Sequence, residues 1–317
     1  MTWDDVLLDR QRPGIALPQQ IDHLLAQQRA TWNTFREGEA SLAEMRTKRL
    51  SRDGSDVIVQ SNPGRHKSVH AKVDPFSVAG RPCFLCLDSL PPEERGIGYG
   101  DLVILPNPHP ILRRHLTIAS REHVPQRLAG HIDPLLGLAK DCGDDMLVLY
   151  NGAQCGASAP DHFHFQASSI ANAPLFQEVP GLGEKDGVEA YGSFGRRMII
   201  CQDQKAENAK AFIVRSLQAL AGVGVKDGEP LINVIAIYRG DRYIVFLIPR
   251  AKHRPECYFA EGDERISISP AAIEMTGVLV AADANAFEQM DGQKAFEIYE
   301  EVCLGEGKSN DLLEAVT

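Results

Sequence analysis

A short segment near the middle of the chain alternates polar and aromatic side chains, and this feature constrains the fold most strongly. His162, His164 and Gln166 are separated by Phe163 and Phe165. Side chains of a β-strand point alternately to opposite faces of its sheet, so the polar groups share one face and the rings share the other. The segment therefore predicts a strand with an aromatic side on a core and a polar side facing a cleft.

The loop before this strand bears on what the cleft can bind. A polar strand face with two hydrogen-bonded histidines is the structural alternative to a binding site. The loop favours the binding site, because it is built from Gly152, Ala153, Gly156, Ala157 and Ser158. Small side chains let backbone N–H groups approach an anion closely, as phosphate binding requires. We therefore expect a phosphate to lie beside the polar face.

A Cys-x-x-Cys pair, Cys83 and Cys86, is the second chemical signal. Such a pair forms a redox couple, half of a zinc site or two structural thiols. A redox pair is normally placed at a helix start beside a thioredoxin-like βαβ pattern, which this sequence lacks. Zinc requires two further ligands, and His123 and His162, at the ends of predicted strands, are the candidates. We favour structural zinc, with bare thiols as the alternative.

Charge and hydropathy exclude several classes of partner. The 317 residues include 43 acidic and 33 basic side chains, giving a net charge of −10. This balance argues against a nucleic acid polymer, which attracts a basic surface. No apolar run approaches the ~20 residues that cross a bilayer, so no membrane partner is expected. The acidic amino terminus and the odd count of 7 Cys predict a cytoplasmic protein.

Hydrophobic periodicity predicts an α+β protein with mainly antiparallel, hairpin-linked strands. The predicted helices cover residues 17–48, 125–140, 206–220 and 293–303. The predicted strands cover residues 103–105, 116–118, 146–150, 162–167, 198–201, 232–238 and 243–248.

An internal similarity indicates a duplication. Residues 116–125 align without gaps with residues 246–255, and both segments pass from an apolar strand through a basic turn to His-x-Pro. Ten residues can match by coincidence, but the preceding strands repeat as well. We therefore expect the segments ending at His123 and His253 to superpose. No second catalytic histidine pair is expected.

Together, these motifs resemble the histidine-triad (HIT-like) superfamily, specifically its transferase branch. That branch contains galactose-1-phosphate uridylyltransferase, diadenosine tetraphosphate phosphorylase and the GDP-hexose phosphorylases. The resemblance covers roughly residues 60–260, and His-Phe-His-Phe-Gln-Ala is most similar to the GDP-hexose phosphorylases. Hydrolases of the superfamily carry a third histidine at the position of Gln166. The positions that match the zinc ligands of the uridylyltransferase are Cys83, Cys86, His123 and His162.

The resemblance implies a fold and a domain organisation. The fold is an antiparallel half-barrel, duplicated, with helices packed outside. We expect an N-terminal helical segment over residues 1–60 and a first half over residues 61–190 that carries the active-site motif. Residues 191–317 then form a degenerate second half with C-terminal helices, which leaves one active site per chain.

The resemblance also implies an activity. It is that of a nucleotidyltransferase or phosphorylase acting on a nucleoside diphosphate sugar or a dinucleoside polyphosphate. His164 would attack the α-phosphorus, and a phosphate or sugar phosphate acceptor would resolve the nucleotidyl-histidine. Gln166 would donate to the transition-state oxygens. A departing phosphate, with a second pKa of about 6, needs no strong general acid, so glutamine suffices where hydrolases have histidine.

Four further residues are predicted to bind substrate. Asn151 and Ser158 would hydrogen-bond phosphate oxygens, as the matching positions do in the family. Arg65 and Lys72 would supply positive charge, although surface exposure is the ordinary role of such residues. A homodimer is also an expectation. The alternative function is a non-catalytic nucleotide-binding or sensing protein, but the intact His164 and Gln166 favour the enzyme.

Overall fold

The computed structural model describes residues 2–8, 14–61, 80–171, 173–222 and 228–317. Two of the predicted phosphate ligands, Arg65 and Lys72, lie outside these ranges. Within the described ranges, no helix combines the length and the apolar character that a membrane crossing requires.

The strands form two sheets. They are β1 (Arg46–Arg52), β2 (Ser55–Ser61), β3 (Ile97–Tyr99), β4 (Leu102–Pro106), β5 (Leu116–Ser120), β6 (Met146–Asn151), β7 (His164–Ser169), β8 (Gly187–Ser193), β9 (Arg196–Asp203), β10 (Ile232–Arg239), β11 (Arg242–Pro249) and β12 (Val278–Ala281). Nine of them make one antiparallel sheet in the order β3-β4-β5-β7-β6-β10-β11-β9-β8. The small sheet has the order β1-β2-β12, in which β12 runs parallel to β2.

Helices cover both faces of the large sheet. They are α1 (Trp3–Val6), α2 (Leu17–Thr31), α3 (Asn33–Ser41), α4 (Ile132–Asp141), α5 (Leu175–Glu178), α6 (Ala206–Ala219), α7 (Ala272–Met275), α8 (Ala284–Gln289), α9 (Gly292–Val302) and α10 (Glu306–Val316). The combination of helices and antiparallel strands confirms the predicted α+β class.

Successive apolar side chains of the central strands point to opposite faces of the large sheet and pack into two separate cores. On β6, Val148 and Tyr150 pack with α2, α4 and α6, whereas Leu147 and Leu149 pack with the small sheet and α7 to α9. All four side chains are fully buried. Because successive side chains point to opposite faces, a strand buried on both sides is apolar throughout. The polar residues of β7 stand out against this pattern.

The sheet is duplicated, but the predicted superposition of the His123 and His253 segments is wrong. In the first half the chain order is β4, β5, α4, β6, β7, and in the second half it is β8, β9, α6, β10, β11. The spatial orders β4-β5-β7-β6 and β8-β9-β11-β10 then match, and β6 pairs with β10 at the centre. The strand ahead of His123 therefore corresponds to β9, and β11 corresponds to β7. As expected, β11 carries no histidine.

Two predicted helices are too long. The helix expected over residues 17–48 breaks at Trp32, whose backbone is extended, and ends at Ser41, after which the chain enters β1. The helix expected from Pro125 begins only at Ile132. Gly130 precedes it with a φ of +91°, a conformation that an α-helix cannot contain.

Candidate active site and metal centre

Strand β7 places two predicted catalytic residues on the wall of a large cavity. His164 and Gln166 line this cavity, which has a volume of about 890 Å³. Phe163 and Phe165 point the other way and are fully buried, with ring centroids 4.9 Å apart. The two-faced strand predicted from the sequence is thus present. His162 is the exception, because it precedes β7 and its side chain turns towards the cysteines instead.

The ring of His164 is held in one tautomer. Its Nδ1 lies 2.9 Å from the carbonyl oxygen of His162. A carbonyl can only accept, so Nδ1 carries the proton and Nε2 keeps its lone pair. Burial lowers the pKa of His164 to about 4, so the ring is neutral at pH 7. A neutral imidazole with an available nitrogen on a cavity wall is a competent nucleophile.

Gln126, which was not predicted from the sequence, fixes the backbone around this histidine. Its Oε1 accepts from the backbone N–H of His164 at 2.7 Å. Its Nε2 donates to the carbonyl oxygens of Asn151 and His164, both at 2.9 Å. The side chain is 1% exposed. One buried amide thus ties the end of β6 to the start of β7, although no local pattern marks it in the sequence.

Asn151 is oriented by a second buried chain of polar groups. Its Oδ1 accepts from Asn233 Nδ2 at 2.9 Å and from the backbone N–H of Ala272 at 2.8 Å. Because Oδ1 is occupied by these donors, the amide nitrogen of Asn151 is the group that can serve a ligand in the cavity. The guanidinium of Arg250 in turn donates to Asn233 Oδ1. The second half of the chain therefore orients a residue of the first half.

Arg250 is nearly fully buried and has only neutral partners among the described residues. It is 2% exposed and donates to four backbone carbonyls as well as to Asn233. These carbonyls belong to Lys252, His253, Pro270 and Val302. The loop around His253 and the end of α9 are thus tied to the site.

The small-residue loop lies where the sequence predicts it. Gly156, Ala157 and Ser158 line the cavity. Their backbone N–H groups make no hydrogen bond to a described residue. Gly156 has a φ of +103°, and a Cβ there would lie 2.4 Å from the Cβ of Ala271, so only glycine fits. The loop can therefore present backbone donors to an anion.

Two arginines that were not predicted from the sequence as site residues also line the cavity. Arg81 donates to the carbonyl oxygen of Ser158 at 2.9 Å. Arg254 donates from Nε to Ser269 Oγ at 3.0 Å and lies 4.3 Å from the ring centre of Tyr258. Burial lowers the pKa of Arg254. The side chain is nevertheless charged, because a guanidinium is effectively always protonated in proteins. These cations can neutralise a phosphate.

The four predicted metal ligands come together. Their ligating atoms all lie within 4.8 Å of one another, and they belong to Cys83, Cys86, His123 and His162. The Sγ of Cys83 lies 3.2 Å from Nδ1 of His162, and the Sγ of Cys86 lies 3.2 Å from Nδ1 of His123. On a tetrahedral zinc with ordinary bond lengths, a sulfur and a nitrogen ligand are about 3.5 Å apart. Two thiols and two imidazoles at these separations fit such an ion.

The surrounding hydrogen bonds suit the two histidines to this role. Nε2–H of His162 donates to the carbonyl oxygen of Ser120 at 2.9 Å, which directs Nδ1 towards the cysteines. Nε2 of His123 lies 3.5 Å from a carboxylate oxygen of Asp161. Such partners fix the tautomer and the orientation of a ligand. His162 also links the two sites, because its backbone carbonyl holds the ring of His164.

The topology and the strand-mounted histidine define the class of this fold. It is the duplicated antiparallel fold with helices outside that the resemblance to the HIT-like superfamily implies, so the resemblance is confirmed at the level of the fold.

Particular solved structures support this assignment. Yeast Ap4A phosphorylase Apa2 is 15% identical, with 91% of this chain and 94% of that chain covered at a TM-score of 0.56. Its complex with AMP is 17% identical, with coverages of 91% and 95% and a TM-score of 0.57. Its complex with Ap4A is 14% identical, with coverages of 86% and 97% and a TM-score of 0.52. At these identities the similarity establishes the fold.

Sequence comparisons add one further match. A family described as a domain of unknown function, DUF4922, matches residues 24–169. A search of the curated proteins found none that matches this chain. The family match includes β7 and the Cys/His cluster.

Proposed function

We propose that the protein is a nucleotidyltransferase of the phosphorylase type. Its substrate is a nucleoside diphosphate sugar or a dinucleoside polyphosphate, and its intermediate is a nucleotidyl group bound to His164. The observation that carries this proposal is the neutral ring of His164 on the cavity wall, with Nδ1–H held by a backbone carbonyl. The fold shared with Ap4A phosphorylase supports it.

The proposed reaction has two steps, each a displacement at the α-phosphorus. In the first step Nε2 of His164 forms a bond to phosphorus, and the bond to the leaving phosphate oxygen breaks with its electron pair. In the second step an oxygen of inorganic phosphate or a sugar phosphate attacks, and the N–P bond breaks. The ring nitrogen recovers its lone pair, and Nδ1 keeps its proton throughout.

The other cavity residues stabilise the phosphoryl group as charge develops. The Gln166 amide donates to non-bridging oxygens, and the backbone of the small-residue loop supplies further donors. Asn151 offers its amide nitrogen, and Ser158 offers its hydroxyl. Arg81 and Arg254 provide the positive charge, a role for which Arg65 and Lys72 were predicted.

We propose that the Cys/His cluster binds structural zinc. Zinc would fix the end of β5 and the start of β7 through His123 and His162. It has no part in the two displacement steps. Its effect on the reaction is indirect, because the residue that ligates it also orients His164 through its carbonyl.

Incubation with candidate substrates tests the proposed function directly. The protein is mixed with dinucleoside polyphosphates or nucleoside diphosphate sugars, with and without inorganic phosphate, and nucleotides and intact protein mass are measured. We expect a mass increase of one nucleotide without acceptor and a nucleoside diphosphate when phosphate is present. Binding without an adduct or turnover would instead support the non-catalytic nucleotide-binding function.

Gln166→Ala is expected to slow turnover by about 10²–10³-fold, the scale for loss of one transition-state donor. Steady-state kinetics should show this loss mainly in kcat, because the donor acts on charge that develops during the reaction. Ser168→Ala is the matched control, since Ser168 follows on the same strand face but does not line the cavity. Equal rates for the two variants would remove Gln166 from the mechanism.

Arg254→Gln is expected to raise KM for the anionic substrate by about tenfold, because a desolvated charge partner of phosphate is lost. Arg265→Gln is the matched control. Both guanidiniums lie over the ring of Tyr258, but Arg265 is exposed and lies outside the cavity. An unchanged KM in the Arg254 variant would show that the cavity binds phosphate without this arginine.

A further inference from the structure

The guanidinium of Arg250 is a buried charge that the two displacement steps do not use. The residue directly follows β11 and is 2% exposed. All five of its hydrogen bonds go to neutral oxygens, four of backbone carbonyls and one of the Asn233 amide. A guanidinium is effectively always protonated in proteins, and burying a charge is costly unless an opposite charge compensates it. Because no described carboxylate pairs with Arg250, a bound anion is the candidate for its counter-charge.

The amide of Asn233 connects Arg250 to the cavity wall. Asn233 is fully buried, and its Oδ1 accepts from Arg250. Its Nδ2 donates to Asn151 Oδ1 at 2.9 Å and to the carbonyl oxygen of Cys155 at 2.8 Å. The oxygen and both hydrogens of this amide are thus occupied, so its orientation is fixed. Hydrogen bonds in a chain polarise one another, so the guanidinium makes the amide nitrogen of Asn233 a stronger donor.

Asn151 is the last member of this chain of hydrogen bonds. It is 4% exposed and lines the cavity. Its Oδ1 is held by Asn233 and by the backbone N–H of Ala272, whereas its Nδ2 has no hydrogen-bond partner within the described ranges. Gln126 donates to the carbonyl oxygens of both Asn151 and His164 at 2.9 Å, so the two residues are neighbours. The polarised chain therefore ends in an amide nitrogen beside the nucleophile.

Building on the proposed function, we propose that Arg250 and Asn233 are positioning residues that polarise Asn151 towards the transferred phosphoryl group. Donation runs from Arg250 to Asn233, from Asn233 to Asn151, and from Asn151 to a phosphate oxygen. The phosphate is then the counter-charge of the buried guanidinium, and two neutral amides connect them. Arg250 itself does not line the cavity, so its charge acts without contact with the substrate. The half of the chain without a nucleophile thus contributes to phosphate binding in the other half.

Asn233→Asp interrupts this chain at nearly constant volume. The new carboxylate can accept from Arg250 and form a buried ion pair with it, but it cannot donate to Asn151. Asn151 then donates its own Nδ2–H to the carboxylate and presents an oxygen to the cavity. We expect binding of a nucleoside monophosphate to weaken by about 10- to 100-fold, the scale for a hydrogen bond to a charged group. The variant should remain folded, because the ion pair offsets the lost hydrogen bonds.

Calorimetric titration of the whole chain measures this effect. AMP, GMP, CMP and UMP are titrated without any acceptor, and the nucleotide that binds the unmodified chain most tightly is the probe for the variants. Thermal unfolding of the same samples separates a change in affinity from a change in stability. An unchanged affinity in folded Asn233→Asp would overturn the proposal.

A double-mutant cycle tests whether the effect depends on Asn151. Asn151→Ala removes the amide that ends the chain and should itself weaken nucleotide binding. In that background Asn233→Asp should change the affinity by less than about threefold, because residues that act through one another are not additive. A larger additional loss would show that Asn233 acts by another route, contrary to the proposal.

Arg250→Lys and Arg196→Lys are a matched pair that also covers a failure of Asn233→Asp to fold. Arg196 is 1% exposed and donates to backbone carbonyls of the second half, but it forms an ion pair with Glu178 and has no bond to Asn233. An ammonium lacks the planar fork of donors, so both variants should unfold at a lower temperature. Only Arg250→Lys should also weaken nucleotide binding, by about tenfold, because Asn233 is no longer fixed. Equal affinities in the two folded variants would refute the proposal.

Intact-mass measurement separates this proposal from the proposed function. Asn233→Asp with normal nucleotide affinity and normal adduct formation would leave the nucleotidyl-histidine mechanism in place and refute the role of Arg250 and Asn233. Weaker nucleotide binding in this variant, in a protein that forms no adduct, would support that role and refute the mechanism. Absence of nucleotide binding by the unmodified chain would refute both.

Discussion

His164→Ala is expected to eliminate the covalent adduct and to lower turnover by on the order of 10⁴-fold or more, the scale for loss of a nucleophile. The reason is the pair of constraints on this ring: Nδ1–H is bonded to the carbonyl of His162, and burial keeps the imidazole neutral. Other histidines on the cavity wall are held differently. His253, for example, has its Nε2 3.2 Å from Ser269 Oγ.

Intact mass after mixing with substrate and no acceptor measures the adduct directly. A phosphoramidate is labile to acid, so the added mass should disappear in acid and survive mild base. His23→Ala is the matched control, because His23 is an exposed histidine on α2. The His164 variant should retain the thermal transition of the unmodified protein within a few degrees. Turnover that persists in it would indicate direct in-line transfer to the acceptor.

The features predicted correctly from the sequence depend on short-range patterns. The alternation from His162 to Gln166 predicts a two-faced strand because the period of two is a property of the strand itself. Cys83 and Cys86 are close in sequence and therefore indicate a metal site before the fold is known. His123 and His162 were identified with them because both flank predicted strands.

The site residues that were not predicted from the sequence act over long separations along the chain. Asn233 reaches Asn151 across 82 residues, and Gln126 reaches His164 across 38 residues. Each is a single polar residue with no periodic neighbours. Such residues become recognisable only when the strands that carry their partners are in place. Arg254 was missed for the same reason, since it follows β11 in the second half of the chain.

Besides the late start of α4, two structural predictions were incorrect, and each has a physical cause. The helix predicted over residues 17–48 ran too far because β1 does not look like a buried strand. It is an outer strand of the small sheet, and its polar, partly exposed side chains resemble those of the helix before it. The match between the His123 and His253 segments reflects two similar strand ends. Topology shows that they follow non-equivalent strands, because β5 corresponds to β9. The local similarity therefore indicated the duplication correctly but matched the wrong pair of strands, β5 with β11.

Cys83→Ser is expected to lower the free energy of unfolding by roughly 3 kcal/mol or more and to remove most of the bound zinc. The unmodified protein should contain about one zinc per chain by elemental analysis, because two thiolates and two imidazoles complete a tetrahedral structural site. Cys257→Ser is the matched control, since Cys257 is a half-buried free cysteine outside the cluster. That variant should keep its zinc.

The effect of zinc loss on chemistry should be smaller than its effect on stability. His162 orients His164 through its backbone carbonyl, and Gln126 holds the same strand independently of the cluster. At a temperature where Cys83→Ser remains folded, we therefore expect a residual adduct with the same acid lability and a slower rate of formation. Zinc-free protein with unchanged stability would refute the metal site. Complete loss of the adduct in folded, zinc-free protein would instead place the metal in the chemical step, contrary to its proposed structural role.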